Sequence, residues 1–321
     1  MQTKIKTYQQ KIISAKSEIS KKIIWQDELI ESLFLSVFSW WHILLEWVPW
    51  LAKTESIKAI SEIFWADFKR ISFTPDLLPS DVVWWMIFDQ KNSEFKIKKW
   101  PIFTNFLLWD EINRAPAKVQ SALLEAMAEK QVTIWDETLK LPQPFLVLAT
   151  QNPLEQEWTF PLPEAQVDRF FMKIILDYPS EMEEFEIIQK NLSSEKIFLE
   201  KIFSLEEILE IQKICENIYL DENLISYITK IISATRKISE IFPEYKDFIE
   251  YWCSPRASIW LAKAVQAYSF LNWRDFANPD DVKKIAKRIL RHRIWLTYRA
   301  EIEWINSDFI VEKILEKVEI L

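Results

Sequence analysis

Glycine is absent from this chain of 321 residues, and no other absence constrains its reading as strongly. Average usage of about 7% predicts roughly 22 glycines at this length. The chain carries none, and it carries 17 tryptophans. Many of these tryptophans stand where glycine ordinarily serves the backbone, as in Trp40-Trp41 between a helical pattern and a strand, Trp65 just past a helix, and Trp273 in the turn Asn272-Trp273-Arg274. Indole suits none of these places, because a position that needs positive φ penalises any Cβ. The pattern is what results when a UGA triplet that encodes glycine in one variant code is written as tryptophan. On that reading every Trp marks a glycine position.

Cysteine and histidine are nearly as scarce. Two cysteines, Cys215 and Cys253, are too few and too far apart for a disulfide framework or a zinc site, and they fit a reducing cytoplasm. The two histidines, His42 and His292, are also distant in sequence, which disfavours a catalytic pair. Charge of one sign is lacking too: 40 basic against 48 acidic residues leave a net charge of −8, which argues against a broad nucleic-acid footprint. No charged N-terminus leads into an apolar core of the signal-peptide kind. The apolar stretch from Leu33 to Ala52 is interrupted by His42, Glu46 and Pro49, so no membrane span is expected.

Against these absences stands the segment Glu46 to Thr54, E-W-V-P-W-L-A-K-T, which follows the run His42-Ile43-Leu44-Leu45, read as a strand over 42–46. With Trp47 and Trp50 read as glycine it becomes a strand followed by a phosphate-binding loop. Inward-pointing backbone amides and a helix N-terminus would form the anion site across Trp47, Val48, Pro49, Trp50, Leu51 and Ala52. Lys53 adds a point charge at the outer phosphates, and Thr54 offers a hydroxyl to Mg²⁺. The buried-strand pattern of Ile102 to Leu108 runs on to Asp110-Glu111, which supplies a carboxylate for the metal shell and a neighbour able to orient or deprotonate water. A further strand over 145–149 leads to Asn152, at the edge where open α/β sheets bind ligands. Arg169 ends a short polar stretch before Phe170-Phe171 and fits either an ion pair or a finger toward a neighbouring subunit's nucleotide.

Together these residues resemble the MoxR family of AAA+ ATPases. The match spans nearly the whole chain through L-L-W-D-E-I-N-R-A-P, A-T-Q-N-P, P-E-A-Q-V-D-R-F and S-P-R-A-S, and the family admits alanine at the position of Ala52. The resemblance implies a P-loop AAA+ core, a parallel sheet flanked by helices over 1–178, followed by an all-α lid domain over 179–321. It implies Mg-ATP as cofactor, with Lys53 and Thr54 of the Walker A loop contacting nucleotide and Mg²⁺, and Asp110 and Glu111 of Walker B as metal carboxylate and catalytic base. Asn152 becomes the first sensor, Arg256 the second, and Arg169 the trans-acting finger, with Arg114 as the alternative. Trp25-Gln26 matches the adenine-side segment. Segments 76–99 and 131–141 resemble hairpins that face the pore of a hexameric ring and touch client proteins.

Beyond Pro179 only helical patterns follow, with helix starts at Ser204-Leu205-Glu206-Glu207, Ser254-Pro255 and Asn278-Pro279. The basic run Lys283 to Arg293 reads as a solvated helix face. The function expected is a cytoplasmic ring ATPase that remodels partner proteins. The alternatives are an ATP-dependent assembly scaffold with negligible turnover, an inactive nucleotide binder should the tryptophans be real, and a DNA motor, which the acidic balance disfavours.

Overall fold

The computed structural model describes residues 2–23, 26–47, 53–89, 94–99, 101–134, 137–152, 159–176, 178–192 and 197–320. The elements run α1 (Gln2–Lys22), α2 (Asp27–Ser39), β1 (Ile43–Trp47), α3 (Lys53–Ile63), β2 (Phe68–Ser72), α4 (Pro79–Val83), β3 (Trp84–Asp89), β4 (Glu94–Lys99) and β5 (Phe106–Asp110). After a 3-10 turn at Ile112–Arg114 come α5 (Ala117–Glu129), β6 (Gln131–Ile134), β7 (Glu137–Lys140), β8 (Leu146–Gln151), α6 (Glu164–Val167), β9 (Met172–Leu176) and α7 (Glu181–Leu192). Two compact units emerge. One comprises residues 13–169 with 174–209, the other residues 1–12 and 170–173 with 210–321.

The first unit is built on a five-stranded sheet in the order β2-β5-β8-β1-β9. The pairs β2·β5, β5·β8 and β1·β8 are all parallel. Every residue of β5 and the first five of β8 are buried, as continuous apolar strands covered on both faces must be. A cluster of Phe34, Phe38, Phe64, Phe106 and Phe203 seals the sheet, with ring centroids from 5.2 to 6.3 Å apart. Two antiparallel hairpins, β3·β4 and β6·β7, stand where the sequence suggests insertions; residues 90–93 of the first turn and 135–136 of the second lie outside the described residues.

Two expectations for this unit need correction. The strand anticipated over 102–108 begins only at Phe106. The Thr104 hydroxyl donates to the Asp67 carbonyl, 2.8 Å, and the Asn105 amide donates to the Pro144 carbonyl, 2.9 Å, so side-chain bonds to carbonyls far away in sequence replace the ladder before it starts. His42 precedes β1 rather than lying in it. Its Nδ1 accepts the Val147 N–H at 3.0 Å and its Nε2 faces the Met127 carbonyl at 3.2 Å. Desolvation, aided by Lys130, pushes this imidazole down to about 3, so it is neutral and structural at pH 7.

The second unit is built largely from α8 (Leu205–Glu216), α9 (Glu222–Arg236), α10 (Ile238–Ile241), β10 (Ile249–Tyr251), α11 (Pro255–Leu271), α12 (Pro279–Leu290), β11 (Trp295–Leu296), α13 (Tyr298–Ile302) and α14 (Ser307–Lys317). It is mostly helical, though not wholly: β10 and β11 form a short antiparallel pair. The helix starts are built as the sequence suggests. The Ser204 N–H donates to Glu207 at 3.0 Å and the Glu207 N–H returns to the Ser204 hydroxyl at 3.3 Å. Asn278 and Asp281 form a second reciprocal box.

The end of the basic run is not solvated. Arg293 is buried and donates to the carbonyls of Phe170, Phe171 and Ile289, while buried His292 sets Nε2 3.1 Å from the Phe170 carbonyl. Arg291 pairs with Asp308 at 2.7 Å. Burial and the adjacent Arg293 hold the His292 imidazole well below its ordinary range. Among the described residues no helix is long and apolar enough to cross a membrane.

Candidate functional site

Parallel pairing brings the carboxyl ends of β1, β8 and β5 to one edge of the sheet. Leu45 is level with Thr150, Glu46 with Gln151, and Trp109 with Ala149. Asp110-Glu111, Thr150 to Asn152 and the end of β1 therefore share the rim where ligands of open α/β sheets bind. β1 ends at Trp47, and Lys53 is the first residue of α3. Residues 48–52 and Trp25 lie outside the described residues, as do the side chains of Trp47 and Lys53. Thr54 is half-buried in the first turn of α3. The Ser56 hydroxyl of that helix donates to the side-chain Oε1 of buried Gln26 at 2.6 Å, which joins Gln26, just before α2, to α3.

Asp110 is the buried centre of the rim. Its Oδ1 accepts the Thr150 hydroxyl at 3.0 Å, and its Oδ2 accepts both Nε, at 3.1 Å, and Nη2 of Arg70 on β2. Glu111 follows in the left-handed region, φ 60° and ψ 54°, where a residue with a Cβ is uncommon. Its N–H donates to the Thr150 hydroxyl at 2.9 Å, and its carboxylate pairs with Arg114 Nε at 3.0 Å. The Asn113 amide donates to the Asn152 carbonyl at 3.4 Å, and buried Gln120 donates to the carbonyls of Ile112 and Phe160. The turn after β5 is thus laced to the segment after β8.

The structure places Asp110, Glu111 and Asn152 on the same rim. Arg114, the alternative finger, is engaged with Glu111 of its own chain. Arg169 is half-buried and donates to the Leu124 carbonyl of α5 at 3.0 Å. Arg256 is the exposed second residue of α11, in the other compact unit. Sequence reasoning passed over Arg70, Thr150, Asn113 and Gln120. Their partners lie as many as 40 residues away, so no local spacing announces them.

The donor chemistry fits a magnesium-bound nucleotide. Mg²⁺ is held in such sites by one or two carboxylates and hydroxyls completed by phosphate oxygens and water, and the rim offers Asp110, Thr54 at a helix start, and Glu111 close by. Among the described residues no group of three or more His, Cys, Asp or Glu side chains gathers into an all-protein metal cage.

The chain is similar to known proteins. The ATPase family associated with various cellular activities (AAA) matches residues 42–172, which span the rim, and the AAA lid domain matches residues 246–314. The chain is 40% identical over 302 residues to Chaperone MoxR1 of Mycobacterium tuberculosis, a match covering 94% of this chain and 80% of that protein. It is 43% identical over 280 residues to the uncharacterized protein YeaC of Bacillus subtilis, covering 87% and 85%. Among solved structures, a provisionally assigned ATPase from Cytophaga hutchinsonii superposes with a TM-score of 0.94 at 46% identity, across 99% of this chain and 97% of that one.

Proposed function

The chain belongs to the MoxR family of AAA+ ATPases, and from that premise we propose that it hydrolyses Mg-ATP in an oligomeric ring and uses the cycle to remodel or mature partner proteins. The observation that carries the catalytic part is the rim itself, with Asp110-Glu111 at the end of buried β5, Asn152 after β8, and α3 starting just past β1.

In this reading the backbone of residues 47–52 and Lys53 hold the phosphates, and Thr54 with Asp110 hold Mg²⁺. The bound cation would draw charge from the phosphate oxygens. Glu111 takes the proton from the attacking water on its carboxylate, and Asn152 orients that water. Arg114 pairs with one carboxylate oxygen, Oε2, and leaves Oε1 to face that water. Gln26, with Trp25, lines the adenine side. Arg256 and a neighbour's Arg169 add positive charge at the transferred phosphoryl group.

A Glu111→Gln variant tests the catalytic assignment. It should keep ATP affinity and lose turnover by about 10²- to 10⁴-fold, the range of a general base. A scaffold that uses ATP only to assemble would show no such loss.

We further propose that the functioning protein carries glycine at the positions written as tryptophan. Trp40, Trp65, Trp273 and Trp304 all adopt positive φ, at 69°, 46°, 62° and 57°. Trp109 is fully buried in β5 with an indole N–H that lacks a hydrogen-bond partner, which is a costly arrangement. At positions 47 and 50 an indole would keep phosphate from the loop amides, so the literal polypeptide should bind ATP weakly and gain binding on reversion of both to glycine. Intact mass of the natively expressed protein decides the matter: a value lower by 17 Trp-to-Gly differences is expected, and a mass matching the written sequence would end the idea.

A further inference from the structure

One hydroxyl touches both carboxylate-bearing residues of the rim. Thr150 is 1% exposed on β8; its Oγ1 donates to Asp110 Oδ1 at 3.0 Å and accepts the N–H of Glu111 at 2.9 Å. The two bonds use both faces of hydroxyl chemistry at a single atom, so an apolar isostere loses both at once. The Asp110 bond, together with Arg70 on the other oxygen, leaves that carboxylate little rotational freedom. The Glu111 bond steadies a backbone conformation that sterics otherwise disfavour, and φ near 60° decides where the Glu111 side chain leaves the chain.

We infer that Thr150 is a positioning residue for hydrolysis: its hydroxyl sets the Asp110 carboxylate and the Glu111 backbone together and ties both to the strand that leads to Asn152. The inference rests on the ATPase reading and adds to it a residue that touches neither nucleotide nor water. No proton or bond changes hands at Thr150. Its effect is geometric, and a misplacement of about 1 Å at a reacting group can cost about 10²-fold in rate.

The test compares Thr150→Val and Thr150→Ser in the glycine-containing chain, using kcat and KM for ATP, affinity for a fluorescent ATP analogue across a Mg²⁺ titration, and thermal unfolding. Thr150→Val should lose about 10- to 100-fold in kcat with KM within about threefold, a split expected when transition-state geometry rather than ground-state binding is lost. Its analogue binding should need several-fold more Mg²⁺, while Thr150→Ser tracks the parent in all three. A Thr150→Val protein that hydrolyses and binds like the parent overturns the inference and leaves the ATPase reading intact. So does a Thr150→Ser as impaired as Thr150→Val, because packing rather than the hydroxyl would then be responsible. Should Thr150→Val not fold, Thr150→Ala takes its place; if that also fails to fold while Thr150→Ser folds, the hydroxyl serves stability alone and the inference falls. A parent without turnover overturns the ATPase reading, and the Thr150 role with it.

Discussion

Arg70 and Asp110 give the rim its most concentrated electrostatics. The carboxylate is almost wholly buried, whereas the guanidinium is 45% exposed, so water can partly replace Arg70 if it is removed. Truncation in Arg70→Ala should therefore cost about 1–2 kcal/mol in urea unfolding, below the 3–5 kcal/mol typical when a fully buried pair is broken. A change within measurement error would mean that Asp110 does not depend on this partner. Asp110 and Glu111 were legible from the sequence because a buried strand ending in two acids is a local signal. Arg70 and Thr150 were not, since their meaning comes from the sheet order that places β2 and β8 on either side of β5.

Element boundaries followed the same division. Caps could be read because they are chemistry within three or four residues: Asn278 accepts the Asp281 N–H at 3.0 Å, and the Asn278 N–H donates to Asp281 at 2.9 Å. Replacing Asn278 with Ala should cost about 1 kcal/mol, measurable as a lower urea midpoint with unchanged slope. The start of β5 could not be read, because Ile102 and Phe103 extend the apolar run while Thr104 and Asn105 turn the chain through bonds to distant carbonyls. The basic run ending at Arg293 misled for a related reason. A guanidinium that satisfies several backbone carbonyls can be buried, and composition does not reveal those acceptors.

For the molecule as a whole, the two buried imidazoles govern how stability responds to mild acid. In the unfolded chain each histidine takes up a proton near pH 6.5, while in the folded protein His42 resists until about 3 and His292 is likewise depressed. The unfolded state binds more protons below pH 6.5, so stability should be flat above that pH and fall as pH drops toward 3. Each histidine adds a slope of up to about 1.4 kcal/mol per pH unit. His42→Leu should remove its share of this slope while lowering stability at pH 7, where Val147 and Met127 lose their partner. Unfolding curves at pH 5 and pH 7 check both effects; an unchanged slope in the variant would contradict the assignment.

The same scale gives meaning to the bond between Arg169 and the Leu124 carbonyl. An arginine that serves an adjoining subunit must first abandon this domestic acceptor, and a hydrogen bond to a charged donor is worth about 1.5–3 kcal/mol. Under the proposed finger role, every protomer would carry such a threshold. Loose encounters would leave the side chain at home, and only a neighbour presenting enough negative charge would draw it out.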